Sequence, residues 1–180
     1  QYLPRNGSIV DVLWSASDQI TVLTKVLLAG GKGSSIVYRL DAAPGKSAYA
    51  FSILETPVVR AMVLSPNQTR VALVRDEGIQ IRSYDAWKVL KDVDHPAPLH
   101  AVFADDDLLI LAGRWYTERL AFALPASAKT PTLDVTRNFL FFSQAEQLGF
   151  DKETGLVVAK SKDRIQALDA KGWISRAPFA

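Results

Sequence analysis

The sequence predicts an all-β protein built from about four copies of one small antiparallel sheet. Three observations carry this. Short runs of branched and aliphatic residues alternate with polar ones at period two, as in Ile79-Gln80-Ile81-Arg82. The runs are bounded by turn residues, as in Ser65-Pro66-Asn67 and Asp76-Glu77-Gly78. The same order then recurs, its third runs ending at Asp41, Asp85, near Pro125 and at Asp169, spaced roughly 44, 40 and 44 residues apart. A fixed interval of that size marks units that hide their apolar faces by stacking on one another.

The clearest copy runs from Val63 to Asp85. Pro66 fixes φ for the second position of a type I turn, and the Ser65 hydroxyl can bond forward to the backbone. Arg70 to Val74 supplies Val, Leu and Val, which suit a pleated, half-buried surface. Gly78 can take a positive φ in the second turn at no steric cost. Trp87 to Leu90 is expected to add an outer strand.

The other copies follow the same plan. In the first, Ile9–Trp14 and Ile20–Leu23 flank a polar turn, and Ile36–Asp41 follows a Gly-rich break, with Ala48–Leu54 closing the sheet. In the third, Leu99–Phe103 and Leu108–Ala112 flank Asp105-Asp106-Asp107. Gly113 to Thr117 is expected to turn the chain into Arg119–Leu124. In the fourth, Gln147–Phe150, Leu156–Lys160 and Arg164–Asp169 are separated by two turns. The copies are expected at about 7–54, 57–95, 98–136 and 139–177 of a single domain spanning 1–180. Phe142 to Gln147 is the place where a helical turn would be tolerated.

These units resemble the blades of a WD-repeat-type β-propeller. Ser65-Pro66-Asn67 stands where that family carries Ser-Pro-Asp-Gly, and Leu40-Asp41, Tyr84-Asp85 and Leu168-Asp169 stand where it often carries Trp-Asp. The chain departs from the family pattern in having no Gly-His pair opening a repeat. His100 precedes a first strand without the partners of the family's buried His-Asp-Ser/Thr-Trp set. The resemblance implies a propeller or partial propeller of about four four-stranded blades, of a kind that more often closes as seven or eight. An open half-ring completed by a partner or second copy, or a piece of a larger ring, is expected over a complete four-bladed ring. Gln1, which is not an initiator Met, agrees with a processed product or excised fragment.

Composition narrows the class. At 48% hydrophobic and 22% charged, the 180 residues are those of a folded globular chain and not a disordered one. No apolar run approaches the roughly 18 residues needed to span a bilayer, so no membrane span is expected. The absence of Cys removes disulfides and thiolate metal sites while leaving the compartment open. Net charge is +2 from 21 basic and 19 acidic residues, which are interspersed, so no nucleic-acid partner is expected. Lys160 to Arg164, the one short basic candidate, reads as a solvated turn.

Several motifs bear on chemistry. Asp105-Asp106-Asp107 offers carboxylates to a hard cation but falls at a turn that favours Asp anyway. His95 and His100 have neither zinc spacing nor a nucleophile elbow beside them, and His95, before Pro96, belongs in a link between blades. Gly30-Gly31-Lys32-Gly33-Ser34-Ser35 lacks the spacing of a phosphate loop. No catalytic set, metal or cofactor is expected. The strongest site candidate is aromatic: Trp115 and Tyr116, flanked by Arg114 and Arg119, in residue types that dominate binding hot spots. Phe139-Leu140-Phe141-Phe142 reads as a buried strand, with a docking strip as the alternative.

The expected function is a non-enzymatic protein-interaction scaffold within a larger protein or complex, its partners proteins, with self-association through the terminal blades. The alternative is a propeller that binds a small ligand or sugar, or acts as an enzyme, at the central channel. Asp11, Arg60, His100 and Gln147, near the first strands, would then line its mouth.

Overall fold

A computed structural model describes residues 7–15, 19–27, 33–41, 51–55, 58–95, 98, 100–114, 116–123, 133–141, 145–162 and 165–171. Every regular element among them is a strand. The first sheet comprises β1 (Ser8–Trp14), β2 (Gln19–Leu27), β3 (Gly33–Asp41) and β4 (Phe51–Glu55). The second comprises β5 (Val59–Leu64), β6 (Arg70–Arg75), β7 (Gly78–Ser83) and β8 (Val89–Asp94). The third comprises β9 (His100–Asp105), β10 (Leu108–Ala112), β11 (Tyr116–Ala123) and β12 (Asp134–Phe141). The fourth has three strands among the described residues: β13 (Gln147–Asp151), β14 (Leu156–Lys160) and β15 (Ile165–Asp169).

Each sheet is a simple antiparallel meander, its strands side by side in chain order. The first strands of successive sheets approach one another in the order β1, β5, β9, β13. The sheets are therefore the blades of a β-propeller, each with its first strand innermost. A bulge interrupts the pairing of β1, β5 and β9 with the second strand of the same blade. In β1 the bulge at Val10 keeps Ile9, opposite Thr24, on the same face as Val12, opposite Val22.

The core lies between blades, because each sheet is apolar on both faces. Between the first and second blades, Leu23 and Val37 meet Met62, Leu73, Tyr84 and Trp87. Between the second and third, Val74, Ile79 and Ile81 meet Phe103, Leu109, Leu111 and Leu120. Between the third and fourth, Leu108 and Ile110 meet Val157 and Leu168. Residues of β6 and β10 are buried almost without alternation, as in strands covered on both sides.

Polar ties pin the first blade to the second. The Asp11 carboxylate accepts from the Met62 amide at 2.9 Å, joining two inner strands. Ser35 bonds both backbone groups of Val59, and Thr21 Oγ1 lies 2.8 Å from the Tyr84 hydroxyl. Buried Arg39 donates to the Tyr84 and Asp85 carbonyls, with its guanidinium 4.2 Å from the centre of the Tyr84 ring. Burial lowers the Arg39 pKa, against the pull of Tyr84 and Asp85.

Three local expectations are corrected. The outer strand of the second blade is Val89–Asp94, and Trp87 precedes it in a turn at φ 55°, buried between the guanidinium groups of Arg39 and Arg82. The third blade's turn stops before Tyr116, because the Gly113 amide bonds the Tyr116 carbonyl at 3.0 Å; Tyr116 and Thr117 belong to β11. Its last strand continues to Phe141, past the expected limit of 136, so Phe139, Leu140 and Phe141 pair with Glu118, Thr117 and Tyr116. Residues 142–144 of the tolerated helical turn lie outside the described residues. Gly78 forms its turn as expected: a Cβ there would collide with the Val93 carbonyl oxygen of β8.

Leu109, fully buried between the second and third blades, tests where stability resides. Leu109→Ala is expected to cost about 2–5 kcal/mol in urea unfolding followed by circular dichroism, whereas Ile165→Ala, on an exposed position, stays within about 0.5 kcal/mol of the parent.

Candidate functional site

The most unusual chemistry sits where the second blade meets the third. In β11, Tyr116, Glu118, Leu120 and Phe122 share one phase, and Leu120 and Phe122 fill the core against the second blade. Glu118 therefore enters an apolar interface, and its side chain is fully buried. Two partners converge on it. Arg137, from β12, donates Nε to Oε1 at 2.6 Å and Nη2 to Oε2 at 3.2 Å. His95, immediately after β8, brings Nε2 into ion-pair range of Oε2. Arg137 also reaches the Asp94 carbonyl at 3.3 Å, so the set bridges both blades.

Tyr116 completes the cluster, its ring centre 4.3 Å from that of His95 and tilted by 32°. Gly113 makes room for that ring, since a Cβ at position 113 would fall within it. Burial raises the Tyr116 hydroxyl pKa, and the Glu118 charge adds to the shift. For Glu118, burial pushes the pKa up but is outweighed by the hydrogen bonds from His95 and Arg137, which leave it below the ordinary value of 4.5. The hydrogen bond to Glu118 in turn raises Arg137. A carboxylate held ionised by the Arg137 guanidinium and the hydrogen bond from His95, shut between sheets, is built to hold blades together.

The four residues expected to bind a partner are separated by this arrangement. Arg114 is exposed in the bend after β10. Trp115 lies outside the described residues. Tyr116 turns toward the second blade, into the Glu118 cluster, while Arg119, in the opposite phase of β11, faces away from it and is partly buried. Glu118 and Arg137 are absent from the sequence reading. A signal existed: Glu118 interrupts the apolar phase of Leu120 and Phe122 with a charge.

The remaining candidates take structural places. Asp105 caps its own turn, with the Asp106 amide on Oδ1 at 2.8 Å, while Asp106 accepts from the Asn67 amide at 2.7 Å. Arg70 donates to the Asp106 carbonyl at 2.6 Å and pairs with Asp107. The acidic triplet thus fastens the first turn of the third blade to that of the second. Among the described residues no group of three or more His, Asp or Glu side chains could hold a metal ion. Ser34 and Ser35 are buried strand residues of β3, and Lys160 is an exposed end of β14; residues 163 and 164 of the basic candidate lie outside the described residues. Arg60 pairs with Asp76, His100 is half-buried opposite Ala112, and Gln147 is exposed at the start of β13. Among the described residues no helix is long and apolar enough to cross a membrane.

No family model and no curated protein sequence matches the chain. Solved structures do, at the level of fold. The chain is similar to Sqt1 of Saccharomyces cerevisiae, with a TM-score of 0.70 at 9% identity over 97% of this chain and 48% of that one. It is also similar to a chain of a mitotic checkpoint complex, with a TM-score of 0.64 at 14% identity over 97% of this chain and 49% of that one. A putative 6-phosphogluconolactonase from Bacteroides uniformis matches with a TM-score of 0.66 at 12% identity, over 94% and 53%. The chain thus spans about half the length of these structures, and the likeness establishes the propeller architecture alone.

Glu118→Gln is expected to lower stability at neutral pH, by less than the roughly 3–5 kcal/mol of a fully buried pair, because the Arg137 side chain is 36% exposed. A carboxyl with a lowered folded pKa contributes stability that is present above its unfolded value and lost as pH falls through the folded one. Urea titrations below pH 4.5 should accordingly show a shallower acid loss for Glu118→Gln than for the parent. Gly113→Ala should also lower the urea midpoint, since the Tyr116 ring must leave its place against His95.

Proposed function

We propose that the chain is a non-enzymatic interaction scaffold whose blades hold exposed turns in fixed positions for protein partners, as part of a larger protein or assembly. The observation that carries this reading is the division of labour in its polar residues. Glu118, Arg137, Arg39 and Asp106 are all engaged in joining one blade to the next. The outward turns, such as the bend at the exposed Arg114, are held in place by that frame where other molecules can reach them. The fold likeness to a chain of a mitotic checkpoint complex, itself an assembly, agrees with this reading.

In this proposal Arg114 and Trp115 make the contact, Tyr116 fixes the base of their turn from within the blade interface, and Arg119 supports it from the other face. The channel-ligand reading is weaker, because Asp11 and Arg60 are engaged with the Met62 amide and Asp76.

Affinity capture with the intact chain, quantified against Arg114→Ala and Trp115→Ala variants of unchanged stability, tests the assignment. Protein partners purified on the parent should bind the variants at least tenfold more weakly, corresponding to about 1.4 kcal/mol at a hot spot. Partners that bind the variants as well as the parent would refute the site.

A further inference from the structure

The turn that joins β5 to β6 carries a motif that the scaffold reading leaves unused. Asn67-Gln68-Thr69 is an Asn-x-Ser/Thr triplet without proline at its centre, the pattern at which a side-chain amide accepts a sugar. Such a triplet becomes a site only where the amide nitrogen is accessible and not spent on holding the fold together.

Asn67 meets that condition for a definite reason. Its Oδ1 accepts three hydrogen bonds, from the Thr69 amide at 2.9 Å, the Thr69 hydroxyl at 2.7 Å and the Ser65 hydroxyl at 3.0 Å. A backbone N–H can only donate, so the Thr69 amide fixes the engaged atom as the oxygen and the other as the nitrogen. Among the described residues no hydrogen bond uses Asn67 Nδ2, and Asn67 and Thr69 are both exposed. The oxygen is thus committed to the turn, while the nitrogen is left to solvent.

The backbone holds the triplet in place. The Ser65 amide bonds the Arg70 carbonyl at 2.9 Å, the Gln68 amide bonds the Ser65 carbonyl at 2.8 Å, and Gln68 takes a left-handed φ of 62°. The Asn67 amide is tied in turn to Asp106 of the next blade at 2.7 Å. A sugar on Nδ2 replaces one amide hydrogen and leaves Oδ1 with all three of its bonds, so the turn accommodates it without rearrangement. β10 then runs its five residues away from the Asp106 turn toward the Arg114 bend, about 17 Å at the usual rise of a strand. A glycan at Asn67 therefore stands at the opposite end of the strands and leaves that bend clear, so it is independent of the partner-binding reading.

We propose that Asn67 is an N-glycosylation acceptor. In the transfer, Nδ2 loses a proton to a base and bonds to the anomeric carbon of a glycosyl phosphate donor. The bond from that carbon to the phosphate oxygen breaks, and the phosphate leaves with the electron pair. A lipid-linked oligosaccharide and a nucleotide sugar both present this ester.

The purified intact chain, kept folded, is incubated in two arms: an oligosaccharyltransferase with its lipid-linked oligosaccharide, and a soluble N-glycosyltransferase with UDP-glucose. Peptide mass spectrometry reads occupancy at each Asn. Glycan is expected on Asn67 in at least one arm, and the arm identifies the donor. Asn67→Asp retains the oxygen that the three donors use, and should abolish the modification while keeping the strand signature in circular dichroism. Thr69→Ala should abolish it as well, and Thr69→Ser should keep it. A second triplet, Asn6-Gly7-Ser8, whose Asn lies outside the described residues, supplies an internal comparison. Asn67 unmodified in both arms overturns the proposal, whether or not Asn6 carries a glycan. So does transfer to a free Leu64–Val71 peptide alone, which would show that the fold withholds the amide. Occupancy that survives Thr69→Ala overturns it too.

Discussion

The constraint from which the rest of the structure follows is that each sheet is apolar on both faces and cannot stand alone. A four-stranded meander leaves Leu73 on one side and Val74 on the other, both buried, so it needs a neighbour on each flank. Stacking satisfies this by repetition, and the contacts between β1, β5, β9 and β13 set the shared axis. Bulges in β1, β5 and β9 adjust which residues face the neighbour without changing the meander. The apolar faces supply the stability, as expected where transfer from water scales with buried area.

How much of this was legible follows from the same physics. Period-two alternation and turn residues act over a few positions, so β6, β7, β10, β13 and β14 are readable from their own residues. The misplaced boundaries depend on contacts that local pattern does not carry. Trp87 has high strand propensity, yet its place between Arg39 and Arg82 requires a left-handed backbone just before β8. Tyr116 resembles a turn residue because Gly113 and Arg114 precede it, but one hydrogen bond from Gly113 closes the turn early and starts the strand there. Aromatics near a turn suggest a binding site, and Tyr116 instead fills the space that Gly113 leaves.

The polar residues are harder to read for a related reason. The partners of Arg39 lie 45 and 46 positions away, those of Asp106 and Arg137 in a different blade or strand, and a single sequence does not pair them. What a sequence does display is a charge in the apolar phase. Arg39 shares the phase of Val37, and Glu118 that of Leu120. In a two-sided strand such a charge must meet a fixed counterpart on the neighbouring sheet, because burying it alone would cost several kcal/mol, roughly. That rule would have marked Arg39 and Glu118 as interface residues before any fold was known.

These ties also make the blade interfaces unlike one another. The first is closed by a guanidinium on two carbonyls, the second by a carboxylate between Arg137 and His95, and the third carries an apolar cluster around Leu108 and Val157. The apolar parts of the faces are similar enough to permit several orders of stacking. The buried ions are not: Glu118 is tolerable only against the blade that brings His95, and Arg39 only against the turn that presents the Tyr84 and Asp85 carbonyls. Hydrophobic burial thus drives the blades together, while a few charges placed in the apolar phase determine which face meets which.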